Sequence, residues 1–109
     1  MQLAADARDK VFYALADPSR RAIFESLTRG EAAVKELTAR FEISQPAVSQ
    51  HLATLKGAGL VRDRKEGRCV YYRVEPRGLK PLIDWMTHYR AFWIEHVDRL
   101  ERLLERMDR

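Results

Sequence analysis

A mainly α-helical fold with one short β-hairpin is what this sequence of 109 residues predicts, on three observations. Apolar residues recur at helical spacing in about five stretches. One run, Arg68 to Val74, is instead rich in β-branched and aromatic residues and alternates. Asp-Pro, Ser-x-Pro and glycine signals punctuate the stretches at short intervals.

The first helix is expected over Leu3 to Leu15, with Val11, Phe12 and Leu15 apolar. Asp17-Pro18 then supplies an N-cap followed by proline at the first helical position. The second helix runs from Pro18 to about Arg29, buries Ile23, Phe24 and Leu27, and stops at Gly30. Arg20 and Arg21 near its start read either as a solvated face or as phosphate contacts. Glu31 to Phe41 gives a short third helix carrying Val34, Leu37 and Phe41.

The fourth helix opens at Ser44, whose hydroxyl can accept from the first free backbone N–H groups. Pro46 falls in the first turn, where its missing N–H costs little. Val48, Leu52 and Leu55 form one narrow apolar stripe. Pro46, Gln50 and Ala53 point directly away from it, with Gln45, Ala47, Ser49 and Thr54 on the flanks. That outward face is short, polar and uncharged. Gln bonds adenine bidentately and Ser serves as donor or acceptor, so such a face suits close approach to base edges. His51 turns partly toward the stripe, which favours a structural hydrogen bond over a base contact.

Gly57 and Gly59 end the fourth helix. Leu60 to Lys65 and Arg68 to Val74 form a hairpin around Glu66-Gly67. Arg62, Arg64, Lys65 and Arg68 crowd its tip, which suits phosphate or minor-groove contact. A last helix starts at Pro76. Leu79, Leu82, Met86, Tyr89, Trp93, His96, Leu100, Leu103 and Met107 step by three and four along it, a heptad seam. At 1.5 Å per residue it would run roughly 40 Å, longer than a small core covers. A second chain is the simplest cover, with Leu82, Met86, Tyr89, Phe92, Trp93, Leu100 and Leu103 at the contact.

Two short amphipathic helices joined by a few residues, followed by a basic hairpin, describe a winged helix-turn-helix. The expected architecture is one domain over 1–109. Residues 18–74 form the DNA-binding core. The net charge of +4, from 20 basic and 16 acidic residues, favours an anionic partner modestly. A single cysteine, Cys69, excludes an internal disulfide and fits a reducing compartment. The polar Met1 to Lys10 stretch does not read as a signal peptide, and the expected location is the cytoplasm.

The stretches Ala14 to Arg21, Ser44 to Leu55, Ala58 to Val61 and Gly67 to Tyr72, with the spacing between them, resemble the ArsR family of bacterial winged-helix repressors. The resemblance covers nearly the whole chain. It implies a homodimeric repressor that binds a pseudo-palindromic operator. In such a protein the first and last helices, 1–15 and 76–109 here, build the dimer, with Val11 and Phe12 joining its contact, and the fourth helix and hairpin bind DNA. The DNA-contacting set would be Ser44, Gln45, Pro46, Ser49, Gln50, His51, Thr54, Arg62, Arg64, Lys65 and Arg68.

Many members sense metals through two cysteines just before an acidic-leucine pair on the third helix. Here that pair is Glu36-Leu37, and Ala33 and Lys35 hold the cysteine positions. Neither supplies a thiolate. The other familiar site uses Asp and His on the last helix. Asp84, His88 and His96 are present at departing spacing, and two ligands rarely suffice for zinc. No metal cofactor is expected. The Trp85 to Trp93 run resembles members that lack the metal sites.

Two other functions compete. One is a winged helix used for protein interaction, and the other is a repressor with a small-molecule ligand in the C-terminal aromatic cluster. An enzyme is not expected, because no nucleophile–base arrangement, phosphate loop or metal cluster stands in the sequence.

Overall fold

The computed structural model describes residues 6–108. The predicted helix start at Leu3 and the Met1 to Ala5 stretch lie outside the described residues, as does Arg109. Six α-helices, one 3-10 turn and a small antiparallel sheet make up the described residues. α1 spans Asp6–Ala16 and α2 Pro18–Leu27. Asp17 caps α2, its carboxylate accepting the Arg20 N–H at 2.9 Å. The backbone N–H of Arg20, with help from the Arg20 and His51 charges, holds the Asp17 carboxyl below the usual carboxylate range.

The expected third helix is divided. Ala32–Ala33 is a strand, β1, and α3 runs over Val34–Phe41. The Glu36 carboxylate accepts the Ala33 N–H at 3.1 Å, which fixes the helix start after the strand. Alanine favours helices, so its propensity hides a strand that exists only through pairing with distant residues. Glu42, left-handed at φ 53°, turns the chain toward α4, Gln45–Gly57.

β2 spans Val61–Glu66 and β3 Cys69–Val74. The order in the sheet is β1-β3-β2, with Val61 opposite Val74, Glu66 opposite Cys69, and Ala32 opposite Tyr72. The turn is Gly67-Arg68, one residue later than expected, because the left-handed φ of 61° falls on Gly67. The 3-10 turn Pro76–Leu79 then passes close to Gly59, just beyond the end of α4. A Cβ at Gly78 would lie 1.9 Å from the Gly59 carbonyl oxygen, so only glycine fits there.

The core gathers Val11 and Ala14 of α1, Ile23, Phe24 and Leu27 of α2, Leu37 of α3, Val48, Leu52 and Leu55 of α4, and Leu60 and Val61. Val11 was expected at a dimer contact, yet its exposure is 0%. Its side chain faces inward, against the chain's own helices, so no partner can reach it. Leu82 is half-buried against the same core.

The expected single C-terminal helix is broken. α5 covers Lys80–His88 and α6 Arg90–Met107. At the break the Tyr89 N–H bonds Met86 O at 3.2 Å, an i→i−3 bond that tightens the turn. α5 lies against α1, where Phe12 meets the Trp85 ring edge-on at 5.5 Å between centroids. Trp85 in turn meets Tyr89 at 5.5 Å. α6 leaves this body, and every one of its residues is exposed. The radius of gyration is accordingly 17.6 Å, against about 13 Å for a compact chain of this length.

Candidate nucleic-acid interface

The reading element is α4. Ser44 Oγ accepts the Ala47 N–H at 3.2 Å, and Pro46 sits in the first turn without loss. Val48, Leu52 and Leu55 are wholly buried, which fixes the helix rotation. Ser44, Gln45, Pro46, Ser49, Gln50 and Ala53 are therefore all exposed together. Thr54 is half-buried, and its hydroxyl bonds back to Gln50 O at 3.2 Å. His51 is half-buried, and its Nδ1 is enclosed with no hydrogen-bond partner among the described residues. The structural bond expected of His51 is absent at that nitrogen.

The hairpin tip is less one-sided in charge than its sequence suggests. Arg62 Nε bonds Glu75 at 2.7 Å. Arg64 bonds Glu31 at 2.5 Å and Glu66 at 2.7 Å, and its guanidinium lies 4.8 Å from the Tyr71 ring centroid. Carboxylates distant in sequence thus occupy two of the four expected cations. Lys65 and Arg68 remain exposed and form no ion pair among the described residues.

Two functional contributions were not read from the sequence. Lys56 Nζ meets the Asp63 carboxylate at 3.0 Å and ties the end of α4 to the hairpin. The Lys56 ammonium keeps the Asp63 carboxyl below its ordinary value. Lys35 of α3 also shares a recess of about 230 Å³ with Gln45 and Arg68, so a further cation stands beside the start of α4. Both depend on which distant residues meet, and local spacing carries no signal for that.

Arg20 and Arg21 face the protein. Arg20 is 8% exposed; its Nε donates to Ala14 O at 2.6 Å and its Nη2 to Tyr13 O at 3.0 Å. Arg21 Nη1 donates to Leu15 O at 2.8 Å. The two arginines cap the C-terminus of α1, which has no basic residue in its own last turn.

A helix pair with an exposed polar second member and an adjoining hairpin is a DNA-binding arrangement. Residues 17–63 match the family model described as bacterial regulatory protein, arsR family. The HTH-type transcriptional regulator Rv2034 of Mycobacterium tuberculosis is 42% identical over 97 residues, covering 89% of this chain and 88% of that protein. The chain belongs to the ArsR family. The transcriptional repressor SdpR of Bacillus subtilis is 35% identical over 81 residues, covering 74% of this chain and 90% of that protein. An ArsR-like transcriptional regulator from Rhodococcus sp. RHA1 superposes with a TM-score of 0.71 at 28% identity, over 89% of this chain and 92% of that one.

This ArsR-family chain is a DNA-binding transcriptional regulator and not an enzyme. No helix among the described residues is long and apolar enough to cross a membrane. At the position of the last-helix metal site, Asp84 bonds Lys80 at 2.7 Å and the His88 ring packs edge-on against Tyr89 at 4.9 Å.

Proposed function

We propose that the chain acts in the cytoplasm as a homodimeric repressor that reads a pseudo-palindromic operator with α4 and clamps it with the hairpin. The exposed, uncharged face of α4 carries this reading, because Gln45, Ser49 and Gln50 stand clear of the core with no intramolecular ion pair to break. Ser44, Pro46 and Thr54 shape the approach, and His51 sits at its margin. Lys65 and Arg68 contact phosphates. Arg62 and Arg64 place the hairpin through their carboxylate partners before any phosphate competes for them. Phe12, Leu82, Met86, Tyr89, Phe92, Trp93, Leu100 and Leu103 meet the partner. The response is independent of metals, since Ala33 and Lys35 stand where thiolates would be needed.

Gln50→Ala is expected to cost about 1–3 kcal/mol of operator binding and to relax preference at one base position. Competition between operator and random DNA measures it; equal losses on both would remove Gln50 from base readout. Replacing Lys65 or Arg68 by Ala is expected to weaken binding to every sequence and to flatten the salt dependence by about one unit of slope. Titrations at several salt concentrations read the slope, and an unchanged slope would take that residue off the phosphates.

A further inference from the structure

A groove of about 690 Å³ opens between the start of α1 and α5, on the side of the 3-10 turn. None of its lining belongs to α4 or the hairpin, so it is separate from the DNA face. Its volume falls in the range of sites that hold small molecules. Trp85 and Tyr89 wall it with rings 5.5 Å apart and inclined at 63°, an open aromatic corner. Arg8 and Arg77 enter from opposite elements, and neither makes an ion pair among the described residues. Lys80 is different: its ammonium is already held by Asp84 at 2.7 Å.

We propose that this groove binds an aromatic carboxylate. The ring stacks in the Trp85–Tyr89 corner, where offset or edge-on contact is favoured. The carboxylate reaches Arg8 and Arg77, whose planar forks match its geometry. Asp84 limits affinity by opposing the anion at close range. A purely inorganic anion would gain the arginines and leave the aromatic corner unused. An apolar molecule would leave both guanidinium groups without a partner. The site supplies the regulator reading with a ligand class.

The test uses the full chain without DNA, so it stands or fails separately from operator binding. 1-Naphthoate titrated calorimetrically is expected to bind saturably, one per chain. Arg8→Ala combined with Arg77→Ala should weaken it at least tenfold with little change in melting temperature, since Arg77 is exposed, Arg8 is only half-buried, and neither makes an ion pair among the described residues. Asp84→Asn should tighten it several-fold. Cyclohexanecarboxylate and inorganic phosphate should each bind at least fivefold more weakly. Absence of saturable binding, undiminished binding by the double variant, or phosphate matching the naphthoate would overturn the assignment. Loss of DNA affinity in the double variant without any naphthoate binding would overturn it too, and would assign the arginines to the nucleic acid.

Discussion

Placing Asp at both Leu100 and Leu103 is expected to leave a chain that neither pairs nor holds an operator. The two leucines are 53% and 48% exposed in the isolated chain, on a helix with no buried residue. Phe92, Trp93, Val97, Leu104 and Met107 are also exposed along α6. On the polar side of α6, Arg99 pairs with Glu95 at 2.8 Å and Arg102 with Asp98 at 2.9 Å, both within the helix. Water satisfies an exposed polar side but not an apolar one, and an exposed apolar face of this length marks an interaction surface.

Full burial of a leucine is worth about 1.5–3 kcal/mol. Each here is exposed to about half its extent in the isolated chain, so about 1 kcal/mol per side chain is at stake. A two-fold interface carries each substitution twice, giving at least about 4 kcal/mol before the cost of burying carboxylates. That is roughly a thousandfold in the dimer constant. Operator affinity should fall with it, because two reading helices share one loss of translational freedom only while joined. Sedimentation analysis paired with operator titration tests both halves. A soluble monomer with undiminished operator affinity would defeat the dimer reading.

The legible parts of this chain are those whose cause is local. Ser44, Pro46 and the Val48–Leu52–Leu55 stripe specify α4 from within thirteen residues, and the structure has the helix where they place it. Asp17-Pro18 does the same for α2. The illegible parts arise from partners far apart in sequence. β1 exists because Ala32 and Ala33 meet Tyr72 and Tyr71. The break at Tyr89 has no proline or glycine to announce it. It falls where the helix packed on α1 gives way to a helix free of the body. Val11 shares the helical spacing of Phe12's neighbours, yet spacing alone does not say which face meets the chain's own core and which meets another. The hairpin arginines look alike in sequence, and their partners Glu31, Glu66 and Glu75 distinguish them.

Arg20→Ala is expected to be among the most damaging single changes in the chain, and its damage should appear in folding. The Arg20 guanidinium satisfies the Ala14 and Tyr13 carbonyls at the end of α1 and lies 5.1 Å from the Tyr13 ring centroid. Pro18 has no N–H to offer the Ala14 carbonyl four residues back, so continuing the helix could not satisfy that acceptor. Hydrogen bonds from a charged donor contribute about 1.5–3 kcal/mol each, and truncation leaves a buried acceptor without a donor. A loss of about 2–4 kcal/mol follows, with a fall in melting temperature of about 10 °C or more for a domain this size. Arg20→Lys should recover only part of it, since one ammonium cannot replace two donors fixed on a planar fork. Arg21→Ala, which removes one exposed bond to Leu15 O, should cost under about 1 kcal/mol. Urea unfolding of the three variants gives the order. Salt titration of DNA binding supplies the contrast: a phosphate contact at position 20 predicts a slope smaller by about one in Arg20→Ala and little changed in Arg20→Lys, which keeps the charge, whereas a cap on α1 predicts lost stability with the slope intact in both. A stable Arg20→Ala protein with a flattened slope would return the residue to the DNA.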